Sequence, residues 1–264
     1  MPSFDGKVAF ITGGATGIGL AAARAVVDGG GRVMLAARRH QVLESAAAEL
    51  GDAAAFVECD VNTDASVDAA VAAAVARFGG LHLAVNSAGM GMAGAVTAQD
   101  TATFAAVLDT NLTGVFRCIR AQARVMRRGG GGSIVNVSSI AAVLTHKWMS
   151  AYCVSKAGVN MLTRCAADEL GEYGIRVNAV MPSLVDTELA MALTANDEAV
   201  AEYLRLIPLA RTGKPQDVGS LVAFLLSDEA GWITGQCIGV DGGHTLRQGP
   251  DLVDMFRLFM PDTD

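Results

Sequence analysis

Short apolar runs rich in β-branched residues alternate with alanine-rich helical stretches along the chain, and this alternation limits the fold more than any motif does. "KVAFIT" (7–12), "GRVMLAA" (31–37), "AAFVEC" (54–59), "LHLAVN" (81–86), "SIVNVS" (133–138), "IRVNAV" (175–180) and "CIGV" (237–240) read as buried strands. Helices are predicted between them, near 17–28, 40–50, 64–78, 99–128, 150–172 and 214–227. Gly29-Gly30 and Gly79-Gly80 stand where helix C-caps belong. Strands that are almost continuously apolar must be covered on both faces, and a helix after each one supplies the cover. The reading is α/β: a Rossmann-type doubly wound, seven-stranded parallel sheet with helices on both faces. No repeat, charge block or linker divides the chain, so residues 1–264 are expected to form one domain.

The bulk composition narrows the class. Of the 264 residues, 52% are hydrophobic, enough for a full core, and the formal net charge of −7 argues against nucleic acid as the main partner. No apolar run approaches the roughly 18 residues of a membrane span. The opening "MPSFDGKVAFITGG" places Asp5 and Lys7 where a signal peptide needs apolar residues, so a cytoplasmic protein is expected. The five cysteines show no CxxC spacing and the four histidines no HExxH, so no metal site is predicted.

"VAFITGGATGIGLAAA" runs from a strand through a glycine-rich turn into a helix. In the register Thr12-Gly13-x-x-x-Gly17-Ile18-Gly19, backbone can approach a pyrophosphate, helix N–H groups face it, and Gly19 permits close packing. The competing reading is a structural turn only. At the end of the second strand, "MLAARRH" has Ala37 where a carboxylate would hold the ribose 2′-hydroxyl of NAD. Arg38 follows, and a guanidinium suits a 2′-phosphate through paired charge-assisted bonds, so NADP(H) is expected over NAD(H). The alternative makes Arg38 and Arg39 a solvated pair at a helix start.

Among three tyrosines and four lysines, only Tyr152 and Lys156 stand four apart, within "SAYCVSKAGVN". That spacing puts a phenol and an ammonium on one helix face. A tyrosine near its ordinary pKa of ~10 exchanges protons poorly at neutral pH. A cation about 4 Å away at an effective dielectric of about 20 contributes roughly 4 kcal/mol, a lowering of up to about three units. The expectation is a general acid–base near ~7. The alternative is an ordinary amphipathic pair.

With TGGATGIG, Asn86-Ser87-Ala88-Gly89, "SIVNVSS" and Tyr152-x-x-x-Lys156 in that order, the sequence resembles the short-chain dehydrogenase/reductase family over about residues 5–246. The resemblance implies a catalytic group of Asn111, Ser139, Tyr152 and Lys156. It implies hydride transfer between nicotinamide and a carbonyl or secondary alcohol, with Tyr152 protonating the oxygen beside Ser139 and Asn111 supporting a water relay. Cofactor contacts are expected from Gly13, Thr16, Gly17, Ile18, Gly19, Arg38, Tyr152 and Lys156. The resemblance adds Asp60-Val61 at the adenine, Asn86 and Ala88 at the ribose (Asn86 also tying the central strands together), Gly89 as a further cofactor contact, and Val185 and Thr187 at the carboxamide. It departs from the family at Ser87, where asparagine is usual, and at Ser183, where glycine is usual.

The substrate wall is expected from Met90, Met92, Leu144, Trp148, Met149, Leu189 and Met191, suiting a hydrophobic ketone or a 3-oxoacyl thioester. A homotetramer is implied, with 99–128 and 150–172 as contact surfaces. The apolar extension 247–264 is expected to pack on a neighbouring subunit. The alternative function is a dinucleotide-binding regulatory or scaffolding protein without turnover.

Overall fold

The computed structural model describes residues 2–247. The extension 247–264, apart from Arg247, lies outside the described residues. Seven strands, β1 (Val8–Thr12), β2 (Arg32–Ala37), β3 (Ala54–Glu58), β4 (Leu83–Asn86), β5 (Gly132–Val137), β6 (Ile175–Pro182) and β7 (Cys237–Val240), form one sheet. Its order is β3-β2-β1-β4-β5-β6-β7, and every pairing is parallel. This is the doubly wound arrangement, and its order reverses between β1 and β4, which opens a crevice at the carboxyl ends of those strands.

Strand alternation explains the two cores. Val8 and Phe10 of β1 join Met34, Ala84, Ile134 and Val177 on one face. Ala9 and Ile11 join Val33, Leu35, Val85 and Val135 on the other. The first face is covered by α3 (Asp64–Phe78), α5 (Gly114–Arg128) and α6 (Ser150–Leu170). The second is covered by α1 (Gly17–Asp28), α2 (His40–Leu50) and α9 (Pro215–Leu226). Phe10, Ile11 and Leu35 are fully buried, each contributing about 1.5–3 kcal/mol from the apolar surface it removes from water.

The stretch expected as one helix over 99–128 is interrupted. α4 (Thr101–Leu108) gives way to a wide π-helical turn, Asp109–Thr113, before α5 begins. Such turns insert an extra residue and are frequent at functional sites. Here the turn contains Asn111, which is completely buried. Two short helices not expected from the sequence, α7 (Met191–Thr194) and α8 (Asp197–Leu206), follow β6. Among the described residues no helix is long and apolar enough to cross a membrane.

A buried amide network ties the sheet to α6. Asn86 on β4 donates to Asn136 on β5 (2.9 Å) and to Gln122 on α5 (3.2 Å), and Gln122 donates back (2.8 Å). Asn136 donates to the Thr163 hydroxyl on α6 (2.9 Å), which donates to Val159 carbonyl (2.8 Å). A network satisfied at every member stiffens the layer that carries Tyr152 and Lys156.

Candidate active site

A cleft of about 600 Å³ opens at the carboxyl ends of the strands. It runs from Arg38 and Asp60, past the glycine turn, to Ser139, Tyr152 and Tyr203. The glycine turn is built for a close approach. Gly13 and Gly17 have φ of +63° and +54°, which favours glycine. A side chain at Gly13 would begin 2.9 Å from Ala88 N, and one at Gly19 2.2 Å from Gly13 carbonyl oxygen. Gly19 therefore seats α1 on the turn and does not itself line the cleft. Thr16 precedes α1 but makes no capping bond with its side chain, so the first helical N–H groups remain available to an anion. Thr16, Gly17 and Ile18 line the cleft at this point. The turn, the free helix start and the elongated shape fit a dinucleotide.

Arg38 lines the cleft and its guanidinium has no ion pair among the described residues. Its neighbour Arg39 is engaged: both nitrogens donate to Glu188 carboxylate oxygens at 2.6 Å. That contact holds Glu188 below the usual carboxylate range. Asp60 accepts from Asn62 N (3.0 Å) and, with Val61, lines the cleft beyond β3. Ala88, Gly89, Val185 and Thr187 line it too. Asn86 does not: its side chain is committed to the amide network beneath, the tie between the central strands.

Tyr152 and Lys156 project from α6 into one cleft with Ser139, which follows β5. Ser139 lies beside the Tyr152 phenol, and its hydroxyl acts to lower the phenol's pKa. Lys156 is 6% exposed, donates to Val137 carbonyl at 2.8 Å, and lies 5.6 Å from the Tyr152 ring centre. The expected downward shift of the phenol is not found. Burial raises Tyr152 above its ordinary value, more than the Ser139 hydroxyl lowers it. Burial also pulls Lys156 down, to about 8. A lysine that loses its proton near there is neutral before a phenol above 10 titrates, so the cation is gone when it would matter.

Asn111 faces Lys156 across Gly89, where a side chain would begin 3.3 Å from Asn111 Oδ1 and 3.8 Å from Lys156 Nζ. Both amide protons and one of the two Oδ1 lone pairs are engaged. Oδ1 accepts from Met90 N (2.8 Å), and Nδ2 donates to Met90 carbonyl (2.8 Å) and Ser155 hydroxyl (3.2 Å). These bonds make Asn111 a brace for the Gly89–Met90 loop.

The model for the family described as "Enoyl-(Acyl carrier protein) reductase" matches residues 13–245. A 2,5-dichloro-2,5-cyclohexadiene-1,4-diol dehydrogenase of Sphingobium indicum is 38% identical over 93% of this chain and 99% of that protein. A 3-alpha-(or 20-beta)-hydroxysteroid dehydrogenase of Mycobacterium bovis is 40% identical over 90% of this chain and 89% of its own. A solved short-chain type dehydrogenase/reductase from Mycobacterium ulcerans superposes with a TM-score of 0.90 at 40% identity, covering 97% of this chain and 96% of that one. The chain belongs to the short-chain dehydrogenase/reductase family. It is an NAD(P)-dependent oxidoreductase acting on CH–OH groups.

The substrate end of this short-chain dehydrogenase/reductase is lined by only part of the expected wall. Of the expected substrate wall, Met90, Met149 and Leu189 line the cleft, joined by Leu193 of α7. Met92, Leu144, Trp148 and Met191 do not line it, and Trp148 is 61% exposed. His146, Ser183 and Tyr203 also line the cleft. Ser183 is hydrogen-bonded to His244 Nδ1 at 2.7 Å, joining the turn after β6 to the chain after β7. Nothing in the spacing of residues 61 apart foretells that bond. The departure from glycine at 183 was the available signal. Among the described residues no cluster of three metal-ligating side chains forms.

Proposed function

We propose that the protein transfers a hydride between NADP(H) and a secondary alcohol or its ketone carried on an apolar skeleton, with Ser139, Tyr152 and Lys156 as its catalytic residues. The observation that carries this reading is the convergence of Ser139, Tyr152 and Lys156 in the cleft that also contains the glycine turn. The nicotinamide, when bound, supplies or accepts the hydride. Ser139 and Tyr152 present two hydroxyls to one carbonyl oxygen. Tyr152 keeps its proton at neutral pH and donates it to that oxygen as charge develops. Lys156 binds a ribose hydroxyl and hands protons on to the phenol. Asn111, by fixing the Gly89–Met90 loop, positions Lys156 and the cofactor side of the cleft.

Two features support NADP(H). Ala37 offers no carboxylate to repel a 2′-phosphate, and Arg38 has no carboxylate partner among the described residues. Exchanging Arg38 for aspartate is expected to shift the NADPH/NADH ratio of kcat/KM about 100-fold toward NADH. An unchanged ratio removes the NADP(H) assignment. Met90, Met149, Leu189 and Leu193 favour a compact apolar substrate body. The relatives named for a cyclohexadienediol and for steroid hydroxyls agree with a ring alcohol more than with an acyl thioester.

The decisive assay is oxidation of NADPH and NADH with a panel of cyclic ketones, in wild type and in Tyr152→Phe. Loss of about 10²–10⁴ in kcat with cofactor binding retained is expected for the variant. A Tyr152→Phe enzyme with undiminished kcat overturns the role assigned to the phenol.

A further inference from the structure

The polar groups at the substrate end exceed what one reacting oxygen needs. Ser139 and Tyr152 suffice for that oxygen. Yet the same cleft is also lined by the imidazole of His146, the hydroxyl of Ser183 and the phenol of Tyr203. These three arrive from separate elements: the turn before α6, the turn after β6, and α8. They gather close to the reacting pair. Ser139 hydroxyl reaches Pro182 carbonyl at 3.5 Å, one residue before Ser183. Tyr203 lies near enough to Tyr152 for its charge to raise the Tyr152 pKa. Behind them His244, 6% exposed, bonds Ser183 and meets the edge of the Tyr203 ring at 5.6 Å between centres.

The bonding capacity of this cluster is unfinished. His146 Nδ1 is buried without a hydrogen-bond partner among the described residues. No hydrogen bond is made there by the Tyr203 hydroxyl. Ser183 has one function taken by His244 and its remaining capacity free. A buried polar atom left unpaired is costly, so such a group is a standing demand for a ligand atom. With His244 Nδ1 as acceptor, Ser183 offers lone pairs to the cleft; with Nδ1 as donor, Ser183 offers its proton. A ligand hydroxyl satisfies either case, and it can also accept from Tyr203.

We infer that His146, Ser183 and Tyr203 form a subsite for a second hydroxyl of the substrate, with His244 as the residue that positions Ser183. The substrate class is then a diol, or the corresponding hydroxyketone, on an apolar skeleton. The inference rests on the reading of Ser139 and Tyr152 as the reacting pair. It adds a recognition element at Ser183, a position where the family pattern has no side chain.

The test compares cyclohexane-1,2-, 1,3- and 1,4-diol with cyclohexanol as substrates of the whole enzyme. A site made to hydrogen-bond a hydroxyl discriminates strongly against the analogue that lacks it. At least one diol is expected to exceed cyclohexanol in kcat/KM by about tenfold or more. In Ser183→Ala and, separately, in Tyr203→Phe, that ratio is expected to fall toward one. Using the ratio cancels any effect of either change on folding, cofactor binding or the chemical step. A wild type that oxidises cyclohexanol and all three diols alike overturns the subsite and leaves the reacting pair standing, as does a ratio that survives both substitutions. Should no alcohol be oxidised although cofactor binds, the reacting pair is overturned. Calorimetric binding of the diols to the enzyme–cofactor complex then still decides the subsite: diol affinity retained in Ser183→Ala counts against it, and affinity lost in both variants supports it.

Discussion

Lys156 sits where its charge is expensive, and the expense has a measurable pH dependence. Replacing it by methionine keeps the stem volume and removes the ammonium. The lysine is buried and its pKa is drawn from 10.5 down to about 8 by burial. The folded state therefore binds fewer protons than the unfolded state between those two values, so stability from this residue rises with pH across that window. Above the unfolded value the lysine carries no charge cost; as pH falls through about 8, the full cost is in place. A difference of about 2.5 units corresponds to about 3 kcal/mol at pH 7. The variant also leaves Val137 carbonyl without its 2.8 Å donor. That loss of about 1–3 kcal/mol is common to all pH values and moves only the offset. The informative quantity is the slope. Urea denaturation of wild type and Lys156→Met at fixed protein concentration, at several pH values from 7 to 9.5, should show the difference between them changing. The change expected is about 2 kcal/mol in favour of wild type as pH rises. A difference that stays constant over that range refutes the claim that burial, uncompensated by a partner charge, sets the state of this lysine.

Tyr152 should make the two reaction directions respond differently to pH. Its phenol is raised by burial, so alcohol oxidation, which needs it deprotonated, should keep gaining kcat/KM above pH 8. Initial rates with saturating cofactor check this, and a plateau already reached near pH 7 refutes it. Glu188→Gln should release Arg39 and raise affinity for NADPH relative to NADH, read by fluorescence titration, while thermal stability stays nearly unchanged because the pair is half-exposed and screened. An unchanged cofactor preference rules out Arg39 as a reserve cation for the 2′-phosphate. Asn86→Ala should lower stability by about 3 kcal/mol, since Gln122 and Asn136 lose their buried partners, and should change cofactor affinity far less. A variant of native stability with lost cofactor binding would restore the ribose contact for Asn86.

The sheet was legible because each strand is a short apolar block whose alternate residues serve two different cores. Phe10 and Ile11, adjacent in "VAFIT", bury against opposite layers. The glycine turn was legible for a similar reason. Gly13, Gly17 and Gly19 each stand where a side chain would meet backbone or a neighbouring residue. Spacing along one helix also placed Tyr152 and Lys156 in the same cleft. What the sequence did not disclose depends on environment or on contacts distant along the chain. The π turn at Asp109–Thr113 is not marked by a break in helical conformation, since the backbone stays right-handed helical from α4 through the turn into α5. Arg39 and Glu188 are 149 positions apart, and Ser183 and His244 are 61 apart.

The error over the phenol is the most instructive of these. Spacing fixed the separation of Tyr152 and Lys156 well enough for a Coulomb estimate, but it carried no information about desolvation. Burial acts on both partners at once and favours the neutral form of each, so it removes the cation as well as opposing the anion. A pair displaced in this way favours its two neutral forms over the ammonium–phenolate pair. The phenol then keeps its proton until charge develops on the substrate oxygen, and the Lys156 ammonium, the stronger acid of the two, would restore that proton through a bound ribose hydroxyl. Under the proposed function, the same burial suits Tyr152 to donate a proton in carbonyl reduction and sets a cost on alcohol oxidation, where the phenol must first lose it.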